Sequence, residues 1–234
     1  SPELLGMASS IGIEKGKPFN PSPEQKALLT EAVAIGNATA RSILFGPKDP
    51  KNYIYPGKAG YWQTGFPGGS HEYLVNQGNG GRDMDGRTLF FYLATVNTPA
   101  MALEIPGVGS QYAFSSRDGS GAYLNGSNTY KLNIPANPPA QRFWSFVVYD
   151  PQTRAMLQSD DMPYPSKNNK RNTDMVKNAD GSIDLYFGPQ APAGMETNWV
   201  KTVPGKGWFG IFRLYGPGQE WFDRTWKLGD IEKV

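Results

Sequence analysis

The chain has 234 residues, with 23 Lys plus Arg against 21 Asp plus Glu, so a formal net charge of +2 offers no overall field to select nucleic acid or an anionic membrane. It has no cysteine, which removes disulfides, thiolate nucleophiles and zinc-thiolate sites together; one histidine is too few for a transition-metal site, and no cofactor is expected. With 38% hydrophobic residues, 28 Gly, 20 Pro, 12 Phe, 12 Tyr and 6 Trp, the composition predicts a sizeable core built from many short strands joined by turns.

Residues 1–21, with Gly6, Gly12, Gly16 and Lys17-Pro-Phe-Asn-Pro21, read as an extended arm, and the opening Ser1-Pro-Glu-Leu-Leu reads as a cut end. No signal peptide opens the chain, and no apolar stretch reaches the ~20 residues needed to span a bilayer. Ser22-Pro23-Glu24-Gln25 supplies an N-cap, a first-turn proline and a capping-box glutamine. A helix is expected from there, with Leu28, Leu29, Ala32, Ile35, Gly36 and Ile43 on one side and Gly46-Pro47 as its stop. Lys48 to Gly81 reads as a long loop packed through Tyr53, Tyr55, Tyr61, Trp62 and Phe66. Asp85 is placed to cap a second helix running through Leu89, Phe90, Leu93, Ala94 and Val96 to Pro99.

From Gln111 onward the pattern is β. Strands are expected over Gln111–Arg117, Thr129–Ile134, Phe143–Asp150, Ala155–Gln158, Ser182–Phe187 and Trp208–Tyr215, with a last helical turn near Glu220–Trp226. Asn178-Ala-Asp180-Gly181 carries tight-turn chemistry before one of these strands. The final strand is apolar on both faces except at Arg213, which shares a face with Phe209, Ile211 and Tyr215. Its guanidinium must be paired, reach the rim, or line a pocket.

Several chemistries meet the residues unevenly. Asp83-Met-Asp85-Gly86 and Asp180-Gly-Ser182-Ile-Asp184 present spaced oxygens, but neither completes a calcium-binding EF-hand loop, and capping and turn roles explain them. The basic run Lys167-Asn-Asn-Lys170-Arg171 reads as a solvated loop. A hydrolase would recruit His71 as its base, or a carboxylate pair from Asp118, Asp150, Asp160, Asp161 and Asp184, whose separations the sequence does not fix. Interleaved aromatics and arginines (Tyr112, Arg117, Trp144, Tyr149, Trp199, Arg213 and Tyr215) suit an apolar pocket in which arginine recognises a carboxylate, or else an aromatic core with arginines pairing buried acids.

Four segments together resemble a known family: Pro106-Gly-Val-Gly-Ser-Gln-Tyr112 leading to Arg117-Asp118-Gly119; Tyr130-Lys-Leu-Asn-Ile-Pro135 leading to Phe143-Trp-Ser-Phe-Val-Val-Tyr-Asp150; Asn178-Ala-Asp-Gly-Ser-Ile-Asp184; and Asn198-Trp199 leading to Arg213-Leu-Tyr-Gly-Pro217. The chain is similar there to the two-domain bacterial and fungal proteins that carry domains of unknown function 1254 and 1214. The resemblance implies that the second domain covers roughly Gly107 to Lys227 and that most of the first is missing. It also implies a jelly-roll-like β-sandwich and a periplasmic or secreted location, and it carries no established reaction.

The expectation is therefore a mainly β chain with α decoration, an antiparallel jelly-roll-like sandwich preceded by one or two helices. Residues 1–105 would form the arm, helices and loop, and 106–234 the sandwich. The leading functional expectation is a metal-independent small-ligand pocket lined by Arg117, Trp144, Tyr149, Trp199, Arg213 and Tyr215. The alternatives are a hydrolase using His71 or paired carboxylates, and a structural protein forming a homo-oligomer. The expected partners are an unknown small molecule, the missing N-terminal domain and further copies of the chain, with no nucleic acid and no membrane span.

Overall fold

A computed structural model describes residues 2–55, 61–94 and 96–234. Ser1 of the expected arm, residues 56–60 of the expected long loop and Thr95 of the expected second helix lie outside them. The chain divides into two compact units, Ser1–Ser42 and Ile43–Val234.

The first unit carries a helix at Pro2–Ser10 and most of a second that begins at Pro23. Instead of an extended arm, Pro2–Ser10 forms α1, because Pro2 sits at the first turn and Glu3, Leu4, Leu5, Met7 and Ala8 tolerate or favour helix. The α2 helix spans Pro23–Phe45 as the capping pattern predicts: the Gln25 amide donates to Ser22 Oγ at 3.2 Å. The Gln25 side chain does not close the capping box; its Nε2 donates to the Ile11 carbonyl at 2.8 Å. Several apolar positions of α2 stay in solvent, with Leu28 67% and Ile35 60% exposed.

The last turn of α2 belongs to the second unit, where Leu44 is fully buried beside Leu89, Phe114, Phe209 and Ile211. Next come α3 (Met84–Leu93) and the single-turn α4 (Pro99–Ala102). The cap of α3 is Asp83, not Asp85: its Oδ1 accepts from the Gly86 amide at 2.9 Å. Both aspartates offer cap chemistry, and the Tyr73 carbonyl, which accepts from the Asp83 amide at 2.7 Å, fixes where the helix begins.

The rest is a two-sheet sandwich, mainly β with helical decoration. One antiparallel sheet has the order β1 (Ser110–Ser115), β7 (Phe209–Pro217), β3 (Ala140–Tyr149), β4 (Ser166–Asn168). The other has β6 (Trp199–Lys201), β5 (Ile183–Gly188), β2 (Tyr130–Ile134), β8 (Ile231–Lys233), with one parallel pair, β5 to β6. The three-residue strands β4, β6 and β8 carry little pattern of their own and are defined by pairing with longer neighbours. Ala155–Gln158, expected as a strand, makes a single bridge from Met156 to Tyr149. A single helical turn, α5 (Gln219–Phe222), follows β7.

Alternation assigns the faces. Trp144, Phe146 and Val148 of β3 and Phe212 and Leu214 of β7 point between the sheets, meeting Leu132, Leu185 and Phe187 from the other side, and the Phe146 and Phe187 rings lie 4.8 Å apart. The opposite residues of the same strands, Tyr149, Phe209, Ile211 and Arg213, therefore face outward. Leu44 and Leu89 pack on this outer face, with Phe90 in an adjoining cluster beside Phe66 and Tyr73, so the helical segment is a third layer over the β1–β7–β3 sheet.

Candidate functional site

Between the outer face of that sheet and the helical layer lies a cavity of about 330 Å³. Its sheet side is formed by Tyr112, Ile211, Arg213 and Tyr149, and its other walls include Phe66, Phe90, Leu93 and Met101. The polar side chains are few: Thr64, Gln111, the two tyrosines, and the guanidinium groups of Arg213 and Arg154. Among the described residues no aspartate or glutamate lines it. A few polar groups set in an apolar concavity are the usual make-up of a small-molecule site.

Arg213 is half-buried, the one charge on its strand's outer face beside Phe209, Ile211 and Tyr215, and stands directly across from Tyr112 on β1 and Ser145 on β3. Its Nη2 donates to the Tyr149 hydroxyl at 2.5 Å, and its guanidinium carbon stands 5.7 Å from the Tyr112 ring centroid and 5.8 Å from that of Tyr149. Its Nε is buried without a hydrogen-bond partner, and among the described residues no carboxylate pairs with it. Two ring faces and one phenol compensate the charge in part, since a cation–π contact gives about 0.5–2 kcal/mol and partial burial of a cation without a counter-ion is unfavourable. Burial pushes the Tyr149 pKa up and the Arg213 charge opposes this, so Tyr149 stays a phenol whose own hydrogen is free to donate.

Arg154 reaches the cavity from the connection after β3. Its backbone is left-handed at φ 59°, a region that non-glycine residues rarely occupy. The Asp150 carbonyl holds the Arg154 amide at 2.8 Å, Arg154 Nη1 donates to the Gln152 carbonyl at 2.8 Å, and the guanidinium lies 4.2 Å over the Tyr92 ring.

Of the six residues expected to line a ligand site, the structure brings together Arg213 and Tyr149. Trp144 is 2% exposed in the core between the sheets, on the opposite face of β3. Tyr215 shares the outer face but stacks on Phe143 at 4.1 Å, beyond the cavity lining. Trp199 lies in the second sheet, its Nε1 donating to the Gly188 carbonyl at 3.0 Å. Arg117 braces the turn after β1: it donates to the Gly121 carbonyl at 3.0 Å and the Tyr123 hydroxyl at 2.8 Å, and it sits 4.2 Å over the Tyr123 ring.

The hydrolytic groups are dispersed. The His71 imidazole makes no hydrogen bond or ion pair among the described residues; its carbonyl accepts from Asn97 Nδ2 at 2.8 Å. Asp118 Oδ1 accepts from Ser120 and Ala122 in a turn, Asp150 Oδ1 accepts from the Gln152 amide, Asp161 pairs with Lys201, and Asp184 accepts from Asn133. Among the described residues no group of three or more His, Asp or Glu could hold a metal ion. Asp83 caps α3, and Asp180 accepts from the Ser182 amide at 2.9 Å in the turn before β5, as expected of both.

Phe66, Phe90, Leu93, Met101 and Arg154 were not foreseen at the site. Phe90 and Leu93 stand one helical turn apart, a signal that reads equally well as core. Arg154 follows an Asp-Pro turn with nothing in its neighbours to announce its direction.

Residues 109–219 match the family model described as "Protein of unknown function (DUF1214)". No curated protein matches the chain. Among solved structures, the VPA0106 protein from Vibrio parahaemolyticus is 21% identical with a TM-score of 0.51, over 100% of this chain and 51% of its own. An uncharacterized protein from Burkholderia cenocepacia is 15% identical with a TM-score of 0.43, over 99% of this chain and 48% of its own. The chain thus spans about half the length of the solved structures it resembles.

Proposed function

We propose that the chain carries the second domain of the two-domain family and is a small-ligand-binding module. Its ligand lies in the cavity between the β1–β7–β3 sheet and the helical layer. The observation that carries this reading is Arg213, a half-buried guanidinium without a carboxylate partner among the described residues, in an otherwise largely apolar concavity. A fold that only needed a packed outer sheet face would place an aliphatic side chain there, as it does at Ile211, because a buried charge without a counter-ion is destabilising. Binding needs no metal in this reading: Arg213, Arg154 and Tyr149 supply the polar contacts.

Native mass spectrometry of the purified protein tests it. The expected result is an additional small mass that persists in Trp199→Phe, remote in the second sheet. It should disappear in Ala94→Phe, which fills the cavity from its helical wall. A bare chain in every variant, with no small molecule taken up on addition, would overturn the reading.

A further inference from the structure

Resting on that reading, we infer that the ligand is an organic monocarboxylate with an apolar body, its head against Arg213 and Tyr149 and its body toward α3. The charge argument comes first. The cavity is lined by two arginines and no described acid, so a neutral or cationic ligand would leave Arg213 as uncompensated as it is when empty. An anion resolves it, and a guanidinium matches the planar fork of a carboxylate. The Tyr149 hydroxyl accepts from Arg213 Nη2 and keeps its own hydrogen, so guanidinium and phenol offer the head two adjacent donors.

Orientation follows from the helix. The lining residues of α3 are Phe90 and Leu93, at its C-terminal end, the negative pole of the helix dipole. That pole repels an anionic head and leaves it the sheet side. The helix N-terminus, the usual cradle for a phosphate, is closed by the Asp83 side chain. The walls away from the sheet, Phe66, Phe90 and Met101, are apolar and suit the body of the ligand better than a sugar ring. A volume near 330 Å³, set against ~30 Å³ per water in the liquid, suits a molecule of roughly ten non-hydrogen atoms. Arg154 spends Nη1 on the Gln152 carbonyl and stacks on Tyr92, so it adds positive potential and secondary polar contacts while Arg213 provides the main fork.

Calorimetric titration of the full chain with 4-phenylbutyrate, 4-phenylbutan-1-ol and succinate tests the class. The aryl acid should bind at least tenfold more tightly than the matched alcohol. Arg213→Met should abolish that advantage while leaving the alcohol within twofold, and Arg213→Lys, with an unchanged circular dichroism spectrum, should keep part of it. Equal affinity for acid and alcohol would sink the carboxylate class and leave the small-ligand reading standing. Tightest binding of succinate would sink the single head and the apolar body. If none of the three binds while a small mass sensitive to Ala94→Phe is seen in the native spectrum, the class is wrong and the site is right; if neither is seen, both fall.

Discussion

Arg213 on β7 and Tyr149 on β3 meet through their side-chain tips, Nη2 donating to the hydroxyl at 2.5 Å, although Tyr149 is in register with Phe209 and Arg213 with Ser145. The two side chains together span the offset between their backbone positions, and both line the cavity where they meet.

The pair should be energetically coupled. Tyr149→Phe leaves a partly buried guanidinium without its acceptor and should cost about 1–3 kcal/mol, whereas Arg213→Met removes the charge itself and should cost less. In urea melts of both single variants and the double, the Tyr149→Phe loss should shrink by 1 kcal/mol or more when Met already occupies position 213. Additive losses would mean that the contact contributes nothing to stability.

Gly210 of β7 has no room for a side chain. A Cβ there would stand 2.2 Å from Cζ of Phe146, whose ring packs across the sandwich on Phe187. Gly210→Ala should destabilise the sandwich by about 1–3 kcal/mol through overpacking. A thermal midpoint equal to that of the wild type would show that the Phe146 ring can move aside.

Asp83 holds the start of the helix that walls the cavity, accepting from the Gly86 amide. Asp83→Ala should lower stability by about 1 kcal/mol, while Asp83→Asn, which keeps an acceptor oxygen, should lose less. Hydrogen exchange at α3 amides separates the two: faster exchange confined to the first turn in the alanine variant is the expected pattern, and unchanged protection would contradict it.

Burial raises the Asp230 carboxyl above its ordinary pKa, and the charge of Glu232 adds to the effect. Folding thus favours its neutral form: that contribution is complete below the unfolded value of about 3.9 and is lost as pH rises through the higher folded value. Asp230→Asn should raise the unfolding midpoint at pH 7 and change it little at pH 3. An equal gain at both pH values would assign the effect to something other than the charge.

The long strands were legible because their alternation is strong. Phe143–Asp150 and Trp208–Tyr215 carry enough β-branched and aromatic residues to be read without a partner, and the Ser22 cap located α2. The edge strands β4, β6 and β8 were not, since three residues hold no period and their hydrogen bonds exist only against a neighbour. The extended reading of residues 1–21 failed over Pro2–Ser10, where Gly6 is accommodated inside a helix, while Gly12 and Gly16 lie in the irregular stretch after it.

At the candidate site, the sequence by itself determined that Arg213 is a charge on an apolar strand face that demands an explanation; strand periodicity requires that much. Only the tertiary structure decided what surrounds it. Arg117, Trp144, Trp199 and Tyr215 have the same residue chemistry as the site, but turn geometry and face assignment direct them to a brace, the core, the second sheet and a stacked pair. The cavity's other wall comes from Phe66, Phe90, Leu93 and Met101, far away along the chain, because closing a buried concavity requires two layers, and the packing of one layer on another is not written in either one's local pattern.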